Sequence, residues 1–133
     1  MSNQDQSDFW NGDAGRRWVE YSDRLDAMLY PFAAQILAAA NITETDAVLD
    51  VGCGAGALSL MASQAGKSVL GVDISQPLID LATKRSETLK TVRFMRSDAA
   101  EINLDTKRDV ILSRFGIMFF SDPVSAFANI RRQ

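Results

Sequence analysis

Four short apolar runs stand out along the chain, and helical patterns separate the first three of them. The runs cover residues 47–51, 68–72, 92–95 and 109–113. Apolar runs of this length, without a regular polar alternation, are typical of strands buried on both faces. Strands that alternate with helices form parallel sheets with right-handed crossovers. The pattern therefore predicts an α/β fold with a doubly wound, mostly parallel sheet.

Helical patterns account for most of the remaining chain. After the strands, helices are predicted over residues 57–65, 77–89 and 123–132. Before them, the spacing of apolar residues predicts one helix over 16–29 and a second over 31–40. We expect the polar residues 2–8 to be disordered. The chain is thus divided into a helical cap, residues 1–40, and a sheet domain, residues 41–133.

A glycine-rich turn follows the first strand. Gly52, Gly54 and Gly56 stand at every second position. Glycine allows a ligand to touch the backbone, and open α/β sheets bind ligands at the carboxyl ends of their strands. The spacing Gly52-x-Gly54-x-x-Ala57 also fits the loose dinucleotide fingerprint. The alternative is a tightly packed turn without a ligand, and we favour the ligand because three glycines are costly without one.

Asp50 indicates which ligand the turn would bind. It lies at the tip of the first strand, two residues before the first glycine. A carboxylate there would repel a pyrophosphate and favour a cation. S-adenosyl-L-methionine carries a sulfonium and an ammonium group and no phosphate, so the pattern favours it over NAD.

Two further acids follow the second and third strands. Asp73 ends the second strand about 20 residues after the turn, where an acid can accept both hydroxyls of a ribose. Its alternative role is a helix cap, for which Ser75 is better placed. Asp98 could accept from an adenine amino group, with the backbone of Ala99 alongside. A helix cap explains Asp98 equally well.

Composition and charge narrow the class of protein. The chain has 133 residues, of which 47% are hydrophobic and 23% charged, with a net charge of −3. These values are typical of one globular domain, and they predict no nucleic-acid partner. No apolar run approaches a membrane span and the polar amino terminus is not a signal peptide, so we expect a cytoplasmic protein. Cys53 is interpreted as a small residue rather than a nucleophile, because no histidine is present to activate it or to bind a metal.

Trp18 and Tyr21 allow two interpretations. They fall at helical spacing, so they can form an aromatic stripe that packs on the core. Alternatively, their segment folds over the cofactor as a lid. Packing is the commoner role of such stripes.

The motifs together resemble a known family. Residues 48–56, 72–75, 97–99 and 109–116 resemble, in order and spacing, the class I S-adenosylmethionine-dependent methyltransferases. The group most similar in pattern is the ubiquinone/menaquinone-type enzymes that methylate small molecules. The resemblance implies a Rossmann-like methyltransferase fold, S-adenosyl-L-methionine as cofactor and a small-molecule methyl acceptor.

The resemblance also implies roles for individual residues. The expected cofactor-binding residues are Asp50, Gly52, Cys53, Gly54, Gly56, Asp73, Ile74, Asp98, Ala99 and Ser113. The expected acceptor-side residues are Arg114 and Phe115, together with Trp18 and Tyr21 where their segment forms the lid. Asp50 would face the methionine part of the cofactor and Asp73 the ribose, while Arg114 would meet a carboxylate of the cofactor or of the acceptor. No residue stands out as a general base.

The family normally continues into three further strands after the point where this chain stops, at Gln133. We therefore expect a C-terminally incomplete sheet whose fourth strand is an exposed apolar edge, able to pair with a second copy. Three functions stay open: a methyltransferase or its cofactor-binding part, a non-catalytic module that binds the cofactor or a partner, and an NAD(P)-dependent oxidoreductase.

Overall fold

The computed structural model of the chain describes all 133 residues and confirms the predicted parallel sheet. Its strands are β1 (Ala47–Val51), β2 (Ser68–Asp73), β3 (Val92–Arg96) and β4 (Val110–Leu112). They lie in the order β3-β2-β1-β4, and every neighbouring pair is parallel. The chain order reverses between β1 and β4, and such a switch point opens a crevice at the carboxyl ends of the strands.

Six helices surround the sheet. Three precede it, α1 (Asn3–Asn11), α2 (Asp13–Glu20) and α3 (Ser22–Ala40), and three follow strands, α4 (Ala57–Ala62), α5 (Gln76–Arg85) and α6 (Pro123–Ile130). None of the six combines the length and the apolar character that crossing a membrane requires.

The amino-terminal helices differ from the prediction. The expectation that residues 2–8 are disordered is wrong, because Ser2 and Asp5 form a reciprocal capping box that starts α1. Pro31 lies inside α3 instead of beginning a helix, and the break between α2 and α3 falls at Tyr21. The helical cap is therefore made of three helices that begin at residue 3.

The hydrophobic core surrounds β1 on both faces. Val48, Leu49 and Val51 are at most 1% exposed. Val48 belongs to a cluster with Leu58 of α4, and Leu49 to a second cluster with Ile130 of α6. Burial on both faces explains why β1 is a continuous apolar run in sequence. It also means that the one charged residue of β1, Asp50, is carried into the interior.

Candidate functional site

A cavity of about 360 Å³ lies at the carboxyl ends of the strands. Its walls come from the glycine turn after β1, from the segments that follow β2, β3 and β4, and from helices α1 to α3. Eight of the expected cofactor-binding residues line it: Asp50, Gly52, Cys53, Gly54, Asp73, Ile74, Asp98 and Ala99. Gly56 and Ser113 are not among the lining residues.

Asp50 carries a buried oxygen without a hydrogen-bond partner. Its side chain is 1% exposed, and Ser59 Oγ donates to Oδ2 at 2.6 Å, while Oδ1 receives no donor. Burial raises the pKa of Asp50 to about 6, although the Ser59 hydrogen bond and the charge of Arg114 oppose the shift. A buried acceptor left unpaired costs about 1–3 kcal/mol. The site therefore holds a carboxyl oxygen that a donor or cation in the cavity would satisfy.

The three glycines of the turn differ in what a side chain at each position would contact. All have positive φ values, which L side chains rarely adopt. A Cβ on Gly52 would lie 2.5 Å from Gly116 Cα, and one on Gly56 would lie 2.6 Å from the Phe94 ring. A Cβ on Gly54 would meet nothing within 4 Å. The protein's own packing thus requires Gly52 and Gly56, and only Gly54 has open space before it.

Asp73 holds the turn in place. Its Oδ2 accepts from the Gly54 N–H at 2.8 Å and its Oδ1 from the Ser75 N–H at 2.9 Å. Burial raises the pKa of Asp73, and these two backbone donors oppose the shift. Each carboxylate oxygen keeps a further lone pair for a donor in the cavity. Ser75 precedes α5 as expected, but its Oγ donates to Trp10 O at 2.7 Å instead of capping the helix.

Both carboxylate oxygens of Asp98 accept hydrogen bonds. Its Oδ1 accepts from the Ala100 N–H at 2.8 Å, a local turn that fixes the carboxylate to its own backbone. Its Oδ2 accepts from Asn3 Nδ2 at 2.9 Å. Sequence reasoning missed Asn3, Gln6 and Trp10, all of which line the cavity from α1. The Ser-x-x-Asp capping box of α1 is the signal that could have revealed this helix.

The wall on the β4 side is aromatic and contains a cation. Of the acceptor-side residues expected from sequence, Arg114, Phe115 and Trp18 line the cavity, whereas Tyr21 does not and is 47% exposed. Arg114 is the only cationic side chain among the lining residues. Its guanidinium donates to Leu29 O at 3.3 Å and lies 3.8 Å from the nearer oxygen of Asp26.

Two aromatic residues of this wall are held firmly. Phe115 adopts a positive φ of 68°, a strained backbone for a non-glycine residue, and its ring packs edge-on against Phe32. Trp18 packs edge-on against Trp10, which also contacts Phe119 with ring centroids 5.6 Å apart. Trp18 thus both packs and lines the cavity, so the two interpretations of its stripe are not exclusive.

Three of the residues expected to bind the cofactor are buried or make contacts inside the protein. Cys53 is buried, and burial together with the charges of Asp50 and Asp73 raises the pKa of its thiol, so it stays protonated. Ser113 Oγ donates to Val51 O at 2.7 Å and joins the ends of β1 and β4. Gly56 packs against the sheet, as described above. The contacts of Ser113 and Gly56 give these two residues structural roles, whereas Cys53 also lines the cavity.

Comparison with known proteins agrees with this geometry. The family model described as a methyltransferase domain matches residues 49–133. An rRNA adenine N-6-methyltransferase of Bacillus licheniformis is 28% identical over 101 residues, which cover 70% of this chain and 35% of that protein. A ubiquinone biosynthesis O-methyltransferase of Coxiella burnetii is 34% identical over 84 residues, covering 62% and 36%. The chain thus spans little more than a third of the length of these relatives.

A solved structure also has the same fold. A protein assigned as an S-adenosyl-L-methionine-dependent methyltransferase, from Methanococcus maripaludis, superposes with a TM-score of 0.78. It is 27% identical, and the match covers 92% of this chain and 58% of that one. The match therefore includes most of the chain.

The different surroundings of Gly52 and Gly54 predict unequal effects of two alanine substitutions. Gly52→Ala should lower the free energy of unfolding by about 2–5 kcal/mol, because the left-handed backbone and the contact with Gly116 both penalise it. Gly54→Ala should cost only the backbone term, about 1–2 kcal/mol. Urea denaturation of the two variants and the wild type measures both values. Equal losses would show that the Gly116 contact does not constrain the turn.

The burial of Asp50 predicts a stability that depends on pH. Because the pKa is raised from 3.8 to about 6, the folded state favours the protonated acid, and stability from this group is lost as the pH rises through about 6. Asp50→Asn removes the titration. The free energy of unfolding of Asp50→Asn minus that of wild type should therefore increase by about 2 kcal/mol from pH 4.5 to pH 7.5.

Urea denaturation at the two pH values measures this difference. Asp105→Asn, at an exposed position, is the matched control and should show no such change. A difference between Asp50→Asn and wild type that does not vary with pH would contradict the account of Asp50.

Proposed function

The chain belongs to the methyltransferase domain family, and from that premise we propose that it binds S-adenosyl-L-methionine and transfers its methyl group to a small molecule. The family membership confirms the resemblance seen in the sequence motifs. The observation that carries the proposal is the unpaired buried oxygen of Asp50, a residue that lines the cavity beside the glycine turn.

The residues of the cavity fit this cofactor. Asp50 Oδ1 lacks the donor that an ammonium group would supply, and a cation beside it would lower its raised pKa. The open space before Gly54 leaves its backbone accessible. Asp73 retains lone pairs for ribose hydroxyls, and Ile74 and Ala99 offer apolar surface beside Asp98 for an adenine.

The same residues fit NAD poorly. A pyrophosphate on the glycine turn would lie beside the carboxyl groups of Asp50 and Asp73, both of which line the cavity. Like charges at such a site repel, more strongly at low dielectric than in water. Arg114, the one lining cation, already donates to Leu29 O of α3 and faces Asp26. This repulsion favours the sulfonium cofactor over the NAD(P) of the oxidoreductase alternative.

The proposed mechanism is catalysis by alignment. When bound, S-adenosyl-L-methionine supplies an electrophilic methyl group on a sulfonium. Asp50, Asp73 and the Gly54 backbone would hold the cofactor, and the wall formed by Trp18, Phe115 and Phe119 would orient the acceptor and exclude water. Such positioning can lower a barrier by about 7–11 kcal/mol. The chain has no histidine, so an acceptor that is already nucleophilic suits the site best.

The aromatic wall supports a small and largely apolar acceptor. Most of the cavity lining is hydrophobic, and its single cation already faces Asp26. A net charge of −3 gives no general attraction for a phosphate backbone. Two relatives are named as rRNA adenine N-6-methyltransferases, so an acceptor panel should include rRNA beside phenols, amines and thiols.

Calorimetric titration with S-adenosyl-L-methionine and with NAD tests the cofactor. We expect binding of the former and none of the latter, because the former carries a sulfonium and an ammonium group and no pyrophosphate to be repelled by Asp50 and Asp73. Binding of NAD alone would overturn the proposal. If S-adenosyl-L-methionine binds but no acceptor of the panel yields S-adenosylhomocysteine, the chain would act as a non-catalytic cofactor-binding module.

A ligand–variant cycle tests the role of Asp73. Removing the ribose 2′-hydroxyl from S-adenosylhomocysteine should weaken binding to wild type by about 10- to 150-fold, the value of a hydrogen bond to a charged group. The same removal should matter much less in Asp73→Asn, which no longer carries the charge. Calorimetry on the four combinations gives the coupling directly. Equal losses in both proteins would exclude a bond between Asp73 and the ribose.

A further inference from the structure

Helix α1 crosses the carboxyl edge of the sheet and is fastened at both ends. At its carboxyl end, Asn11 Nδ2 donates to Ile74 O at 3.0 Å, and Asn11 Oδ1 accepts from the Gln76 N–H at 2.8 Å. Trp10 O accepts from Ser75 Oγ at 2.7 Å. These bonds join α1 to the segment between β2 and α5, which forms the ribose end of the cavity.

At its amino end, one side chain makes the hydrogen bonds that join α1 to the sheet edge. Asn3 Nδ2 donates to Asp98 Oδ2 at 2.9 Å, and Asn3 Oδ1 accepts from Ser121 Oγ at 2.8 Å. Asn3 thus bridges the segment after β3 and the segment after β4, and it also lines the cavity. A single amide therefore closes the side of the cavity where Asp98 lies.

Little else holds this end of α1. Gln6 is its one buried residue, and Gln4, Asp5 and Asp8 are exposed. A segment with few buried apolar contacts opens locally at a low free energy. The hydrogen bonds of Asn3 are consequently the main restraint on opening at the amino end.

We propose that Asn3 is a positioning residue with two linked effects, which rest on the proposed function. It fixes the carboxylate of Asp98 in the orientation that accepts from an adenine amino group. By the same bond it holds α1 closed over the adenosine end of the cavity. Cofactor exchange then requires the Asn3 bonds to break and the amino end of α1 to lift.

Asn3→Ala tests both effects, and Gln4→Ala is the matched control. Alanine favours helix at either position, so neither change weakens α1 by propensity. Gln4 bonds only to Asp8 on the outer face of the helix, at 2.8 Å. Stopped-flow fluorescence of Trp10 and Trp18 can follow S-adenosylhomocysteine, because both rings line the cavity.

For closure, we expect Asn3→Ala to raise both the association and the dissociation rate constants by about 10- to 150-fold, as expected for the loss of a hydrogen bond to a charged group. Gln4→Ala should leave both unchanged. For positioning, the ratio of affinities for S-adenosylhomocysteine and its inosine analogue should fall in Asn3→Ala, since an inosine has no amino group for Asp98. The proposal requires both results. Unchanged rates, faster dissociation alone, or an unchanged ratio overturns it.

Hydrogen exchange separates this proposal from the proposed function. In the ligand-free protein, Asn3→Ala should speed amide exchange in residues 3–11 while leaving β1 as protected as in wild type. Equal exchange rates of α1 in wild type and variant would overturn the claim that Asn3 holds α1 closed, whatever the protein binds. A wild type that binds no S-adenosylhomocysteine, but whose α1 exchange responds to Asn3→Ala, would contradict the proposed function and the adenine-positioning role together and leave only a structural contact.

Discussion

The structure depends on one electrostatic constraint: a carboxyl group is buried at the tip of the central strand with an oxygen left unpaired. Asp50 lies between two apolar clusters that enclose β1, and its only donor is Ser59. Burial without a full set of partners is unfavourable, which is why its pKa is raised. A fold that buries such a carboxyl group favours the binding of a cation beside Asp50. The switch point between β1 and β4 puts that place in a cavity.

The sheet and the acids could be predicted from sequence because each depends on local pattern. Four apolar runs gave four strands, and the bounds predicted for β1 are those observed. Asp50, Asp73 and Asp98 follow strands, so parallel pairing was enough to bring them to one edge. The reason for each glycine could not be predicted in this way. Gly52 is constrained by Gly116, which lies 64 residues further along the chain, and no local pattern reveals such a contact.

The amino-terminal helices were harder to predict because their order does not come from an apolar face. α1 is polar, and the residues that fasten it bond to partners far along the chain, such as Asn3 to Asp98 and Asn11 to Ile74. Composition alone makes residues 2–8 resemble a disordered end. Likewise, the lid interpretation placed Tyr21 and Trp18 together at the site, but Tyr21 lies at the break between α2 and α3 and does not line the cavity. Long-range hydrogen bonds, which sequence periodicity does not encode, decide this part of the site.

The central claim is that the free oxygen of Asp50 is the receptor for the cofactor's positive charge. A crystal structure of the chain with S-adenosylhomocysteine tests it most directly, because it locates the homocysteine ammonium relative to Asp50. The account predicts an ammonium nitrogen within hydrogen-bond distance of Asp50 Oδ1, about 2.7–3.2 Å, with the ribose on Asp73. An ammonium group bound elsewhere, with Asp50 Oδ1 still unpaired, would contradict it.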